Sequence, residues 1–158
     1  SGDIDVMLNS VRAGQIPHVF VYNGWQVGTE GNPYVHTVLR GAMNRHGQHI
    51  ANYHYEDLMM LAEKYIKRNL QYPAIVVDAN HSNSGKKYEE QPRITREVLG
   101  YRSYSDLLRS MIKGIMIESY IEPGRQDVNG STYGQSITDP CLGWNDSECL
   151  LYDIAEKV

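Results

Sequence analysis

The sequence predicts an α/β fold of the (β/α) barrel type, and three observations lead there. Apolar β-type runs at residues 34–39, 74–77 and 114–117 are separated by stretches of roughly 35 residues that read mostly as helix. Each run ends in residues suited to phosphate or metal chemistry: Arg40 after the first, Asp78 and His81 after the second, Glu118 after the third. Polar groups gathered at strand C-termini are what a (β/α) barrel presents on its catalytic face. The third observation is length. The chain has 158 residues, whereas a closed eight-unit barrel needs about 250, so a portion of a barrel is expected.

The elements follow in order. Asp3 can cap a first helix in which Ile4, Met7, Leu8 and Val11 recur at helical spacing, and Gly14 is expected to end it. Ser1-Gly2-Asp3 lacks an initiating Met, which reads either as a trimmed start or as the loss of a preceding strand. His18 to Tyr22 reads as a strand, Asn23-Gly24 as a two-residue hairpin turn, and Trp25 to Thr29 as the antiparallel return. Gly31-Asn32-Pro33 breaks the pattern before the first core strand, which ends at Arg40-Gly41.

Residues 43–52 read as a polar loop and 53–69 as a helix with Leu58, Leu61, Ala62, Tyr65 and Ile66 inward. The second core strand starts after Tyr72-Pro73 and continues into the polar loop 79–85. Pro92 suits the first turn of a helix over 91–99, and a second helix over 104–113 would place Leu107, Leu108, Met111 and Ile112 inward. After Glu118 the chain makes an irregular excursion from Pro123-Gly124 to Ser136. Asn145 and Glu148 suggest a capping box for a last helix with Leu150, Leu151 and Ile154 inward. No linker or repeat divides residues 1–158, so a single segment is expected.

Composition narrows the function. A net charge of −4, a pI near 5.8 and no basic block argue against nucleic acid as the main partner. No apolar run approaches the roughly 18 residues of a membrane span, and the start lacks a signal-peptide pattern. Cys141 and Cys149 alone do not make a disulfide framework, so a cytoplasmic location is expected.

Three residues form a candidate metal set. His81 follows a buried-type strand, Glu118 sits at the edge of a core where an unpaired charge is costly, and Asp139 precedes the last helix. One imidazole and two carboxylates suit Mn, Fe, Co or Zn. Arg40 offers a fork of donors for a phosphate or carboxylate, with Gly41 allowing close approach. Lys86 and Lys87 read as solvated, as do His46, His49 and His54, whose spacings match no closed metal site.

Four motifs occur in a recognisable order: Leu39-Arg40-Gly41; Asp78-Ala79-Asn80-His81-Ser82-Asn83-Ser84; Met116-Ile117-Glu118-Ser119; and Ser136-Ile137-Thr138-Asp139-Pro140-Cys141-Leu142-Gly143-Trp144. With Gly31-Asn32-Pro33-Tyr34, they resemble the carboxy-terminal half of class I 3-deoxy-D-arabino-heptulosonate 7-phosphate (DAHP) synthases. The resemblance implies condensation of phosphoenolpyruvate with erythrose 4-phosphate, with release of phosphate, at the head of the shikimate pathway. It implies that His81, Glu118 and Asp139 are three of four ligands to a divalent metal, and that Arg40 binds the phosphoenolpyruvate phosphate. The chain would supply strands six to eight of the (β/α)8 barrel, with the hairpin at 18–29 as an insertion that in the family helps form a feedback site.

The departures are as specific. The family's fourth ligand, a cysteine after the first strand, has no counterpart, and Cys141 lies at a position that is not a ligand. The lysines and arginines of earlier strands are also missing, Gly41 is followed by Ala42, and residues 43–51 run longer than usual. The expectations are therefore that activity needs the amino-terminal half of the barrel, that the fragment alone is inactive, and that open sheet edges favour a homo-oligomer. The alternative is a non-catalytic half-barrel relic or binding module retaining a weak metal or phosphate site. A related sugar-acid synthase fits the last motif less well.

Overall fold

The computed structural model describes residues 2–158. Its elements are α1 (Ile4–Gln15), β1 (His18–Tyr22), β2 (Trp25–Thr29), β3 (Thr37–Leu39), β4 (Ala42–Met43), β5 (His49–Ile50) and α2 (Tyr55–Lys67). They continue with β6 (Ile75–Asp78), a 3-10 turn at Tyr88–Glu90, α3 (Gln91–Tyr104), α4 (Asp106–Met111), β7 (Ile112–Met116), β8 (Glu122–Arg125), β9 (Gln135–Ser136) and α5 (Trp144–Ala155). Among the described residues no helix is long and apolar enough to cross a membrane.

The centre is a three-stranded parallel sheet in the order β3-β6-β7. Parallel neighbours need a long crossover, and α2 supplies the first while α3 and α4 supply the second. Alternate residues of the sheet enter one core: Leu39, Ile75, Val77 and Ile112 meet Leu8 and Val11 of α1, Leu58, Leu61 and Tyr65 of α2, Ile94 and Val98 of α3, and Leu108 and Met111 of α4. The intervening residues Val38 and Val76, level with Gly114, lie outside that core. Helices thus cover one face of the sheet, whereas parallel sheets are ordinarily covered on both.

Several local expectations need correction. Gly14 does not end α1, which runs on to Gln15. Its carbonyl accepts from the Asn32 N–H at 2.8 Å, and a Cβ there would come within 3.0 Å of Val35, so the glycine serves close packing. The first core strand is shorter than residues 34–39, because Asn32 turns the chain by accepting from the N–H groups of Tyr34 and Val35. Residues 43–52 are not a plain loop: β4 and β5 pair antiparallel as a small hairpin. Ile66 of α2 and Leu151 of α5 are exposed, each roughly a quarter turn from the centre of its helix's buried stripe.

Ser105 divides the α3–α4 region differently from the expected 91–99 and 104–113. Its hydroxyl accepts from the Leu108 N–H at 3.3 Å, so α3 extends to Tyr104 and α4 starts at Asp106. Ile112 belongs to β7, paired with Ile75, and Lys113 forms the extra residue of a bulge before Gly114 pairs with Val76. The excursion after Glu118 contains β8 and β9, paired parallel. The expected Asn145–Glu148 capping box is absent: Gly143 occupies the N-cap position of α5 with no side-chain bond. The first hairpin is as expected, with positive φ at both Asn23 and Gly24.

Gly41 controls how closely the β4–β5 hairpin approaches the sheet. Its φ is +72°, and an added Cβ would lie 2.8 Å from the Ile50 carbonyl oxygen and 2.9 Å from the Asn83 nitrogen. Gly41→Ala is therefore expected to destabilise the fold by roughly 2–4 kcal/mol, combining left-handed strain with backbone collision. Gly47, at φ +78° with nothing within 4 Å, is the control: Gly47→Ala should cost only about 1–2 kcal/mol. Urea midpoints of the two variants separate collision from strain.

Candidate functional site

The polar groups gather where β3, β6 and β7 end. Asp78 is the last residue of β6 and only 1 % exposed. A buried carboxylate needs compensation, and the following turn supplies it. Asp78 Oδ1 accepts from the Asn80 N–H at 2.8 Å, and Oδ2 lies 2.8 Å from His81 Nδ1. That second contact has an ion-pair distance without the alignment of a well-formed hydrogen bond. It leaves Nε2 as the imidazole atom that faces the other strand ends. His81 Nε2 is 3.3 Å from Glu118 Oε1 and 3.2 Å from Asp139 Oδ2.

Glu118 is held at both backbone and side chain. The fully buried Gln91 accepts from the Glu118 N–H at 2.8 Å and donates to its carbonyl at 3.0 Å. Asn80 Nδ2 donates to Glu118 Oε2 at 2.5 Å and to the Pro140 carbonyl at 3.0 Å, linking the β6 and β7 ends to the last loop. Asn83 Nδ2 donates to the carbonyls of Leu39 and Asp78, while its Oδ1 accepts from the Asn52 N–H. These amides are the functional neighbours that sequence reasoning missed. For Asn80 and Asn83 the signal was an amide-bearing run directly after an apolar strand, where buried polar side chains must find partners.

Asp139 Oδ1 accepts from Lys86 Nζ at 2.5 Å, so the expectation of a solvated Lys86 needs correction. The Lys86 contact holds the Asp139 carboxyl below its ordinary value; burial opposes this, and the charges of His81 and Arg40 add to it. Cys141 lies close by, but burial pushes its thiol up, reinforced by Glu118 and Asp139, and the thiol donates to the Asp139 carbonyl. A protonated thiol is not a ready metal ligand.

One ligand atom each from His81, Glu118 and Asp139 lies within 4.8 Å of the other two. An imidazole nitrogen facing two carboxylates requires positive charge between them, either as a proton or as a metal ion. The donor set fits a divalent first-row metal, and the Asp78–His81 contact is the outer support that metal-bound imidazoles use.

Arg40 does not enter this cluster. It follows β3 and lines an adjoining cleft of about 660 Å³, together with Gly41, His49, Asn52, Ser82 and Lys86. His46 and His54 lie elsewhere, one contacting Arg45 at the hairpin tip and the other 3.5 Å from Glu97. His49 differs from both: its Nδ1 is 3.0 Å from the Ser82 hydroxyl at the cleft.

Comparison with known proteins gives a consistent set of relatives. The model of the DAHP synthetase I family matches residues 4–152. The phospho-2-dehydro-3-deoxyheptonate aldolase of Haemophilus influenzae is 34% identical over 166 residues, covering 100% of this chain and 43% of that protein. The Trp-sensitive aldolase of Escherichia coli K12 is 33% identical over 165 residues, covering 99% of the chain and 44% of the relative. Among solved structures, the aldolase of Francisella tularensis SCHU S4 superposes with a TM-score of 0.85 at 28% identity, covering 100% of this chain and 46% of that one. The chain thus spans less than half the length of these relatives.

The Lys86–Asp139 pair has a signed pH consequence. A carboxyl held below its ordinary 3.8 contributes stability that is present above that pH and is lost as pH falls through the folded value. Both partners are partly exposed, so solvent screens the contribution. Lys86→Met is expected to raise the Asp139 pKa and to shrink the stability lost on acidification below 3.8. Carboxyl-carbon NMR of Asp139 with paired acid unfolding curves measures both effects.

Proposed function

The chain belongs to the DAHP synthetase I family, and on that premise we propose that it is the carboxy-terminal part of a DAHP synthase barrel. In this reading residues 1–158 form one segment, β3, β6 and β7 are strands six to eight, and β1–β2 is an inserted hairpin. The reaction joins the enol carbon of phosphoenolpyruvate to the aldehyde carbon of erythrose 4-phosphate, takes up water and releases phosphate. It is the first step toward the aromatic amino acids. The observation that carries the reading is the convergence of His81, Glu118 and Asp139 beside the cleft that Arg40 lines.

A divalent metal held by these three side chains would act as a Lewis acid toward the aldehyde oxygen or activate water. The remaining work belongs to the chain itself. Asp78 fixes the His81 ring, so that Nε2 is presented to the two carboxylates. Asn80 and Gln91 set the position of Glu118, and Lys86 balances the charge of Asp139. Arg40 holds the phosphoenolpyruvate phosphate and offsets the charge that grows as phosphate leaves.

The half-covered sheet supports the second part of the proposal. Val38 is exposed, and among the described residues both β3 and β7 end the sheet without a further strand. The amino-terminal half of the barrel would cover that face, complete the metal set and supply the remaining substrate contacts, so the fragment alone is expected to be inactive. A cytoplasmic homo-oligomer is part of the same reading.

His81→Ala in the intact enzyme is expected to reduce metal-dependent consumption of phosphoenolpyruvate by roughly a hundredfold or more. Full activity in that variant would sink the site assignment. Asp78→Asn should retain the fold and weaken Mn²⁺ binding by about 10–100-fold, as read by calorimetric titration. Unchanged Mn²⁺ affinity would remove Asp78 from the site.

A further inference from the structure

The β4–β5 hairpin carries His49 to the cleft lined by Arg40. Ser82 links the two residues. Its N–H donates to the Arg40 carbonyl at 3.2 Å, and its hydroxyl lies 3.0 Å from His49 Nδ1. When that hydroxyl donates to Nδ1, the imidazole proton resides on Nε2, which has no hydrogen-bond partner among the described residues. Lys86 is already engaged by Asp139, while the Arg40 guanidinium makes no hydrogen bond or salt bridge among the described residues. In that tautomer the cleft presents one uncommitted guanidinium and one uncommitted imidazole donor. Asp3 on the other wall turns Oδ1 toward the N–H groups of its own helix.

We propose that His49 is a second binding residue for the phosphate group that Arg40 holds, its Nε2–H donating to a phosphate oxygen. The inference rests on the reading of the cleft under Proposed function. A guanidinium fork alone satisfies a carboxylate, whereas a phosphate monoester has a further oxygen to accept from an imidazole. The β4–β5 hairpin then shapes substrate binding as well as packing, and Gly41 lets it approach closely enough to do so.

The test is a titration of the protein, labelled with ¹⁵N-histidine, with inorganic phosphate. The His49 ring nitrogens should shift and saturate with phosphate, and acetate at equal ionic strength should not move them. His49→Gln should weaken phosphate binding by about tenfold, and Arg40→Ala should weaken it further. A purely structural His49 would leave its ring signals unmoved by phosphate. If phosphate binds in an Arg40-dependent way while His49 does not respond, the inference is overturned and the proposed reaction stands. If wild-type protein binds no phosphate, the anion cleft itself is overturned, and the role of Arg40 in the proposed function falls with it. Equal shifts with acetate would overturn the assignment to phosphate.

Discussion

The buried carboxylate of Asp78 is the constraint on which the upper edge of this sheet depends. At 1 % exposure it cannot stand unpaired, and the residues that satisfy it come from its own turn. Bringing His81 Nδ1 to Asp78 requires the chain to enter the left-handed region at His81, where φ is 50°. That conformation costs about 1–2 kcal/mol for a residue with a side chain. It directs the opposite ring nitrogen toward Glu118 and Asp139. A requirement of burial at the end of β6 thereby becomes the geometry of a three-residue cluster.

Around that contact, side-chain amides do what a longer sheet would otherwise do. Asn83 binds carbonyls at the ends of both β3 and β6, and Asn52 reaches from it to the Gly41 N–H. Gln91 clasps the backbone of Glu118 from the first turn of α3. Each is a donor and an acceptor on one planar group, so it joins two segments without adding charge. Buried networks of this kind fix one arrangement because every unmade bond carries a desolvation penalty.

The strand ends were legible in the sequence because apolar β-type runs and the residues that follow them are local signals. Arg40, His81 and Glu118 stood out for that reason, and so did the Asn23-Gly24 hairpin. The pairing of Lys86 with Asp139 was not legible, since the two are far apart in the chain and a lysine after a Ser-Gly loop resembles any solvated lysine. The β4–β5 hairpin escaped because its strands are two residues each, too short for alternation to register. Ile112 read as helical because it continues the spacing of Leu108 and Met111, but its ladder partner Ile75 lies on another strand. The inward placement of Ile66 and Leu151 failed for a related reason: periodicity locates a stripe, and the depth of the packing behind it sets the stripe's width.

The uncovered face of the sheet has a thermodynamic consequence. Denaturant sensitivity and the heat capacity of unfolding both scale with the surface newly exposed when a chain unfolds. Val38 is already 36% exposed in the folded state, so it adds less to either quantity than a fully buried valine would. The chain therefore unfolds with a shallower denaturant dependence and a flatter stability curve than a fully enclosed domain of the same length. Covering that face steepens both at once, so the slope of an unfolding curve is itself a gauge of whether the sheet is covered.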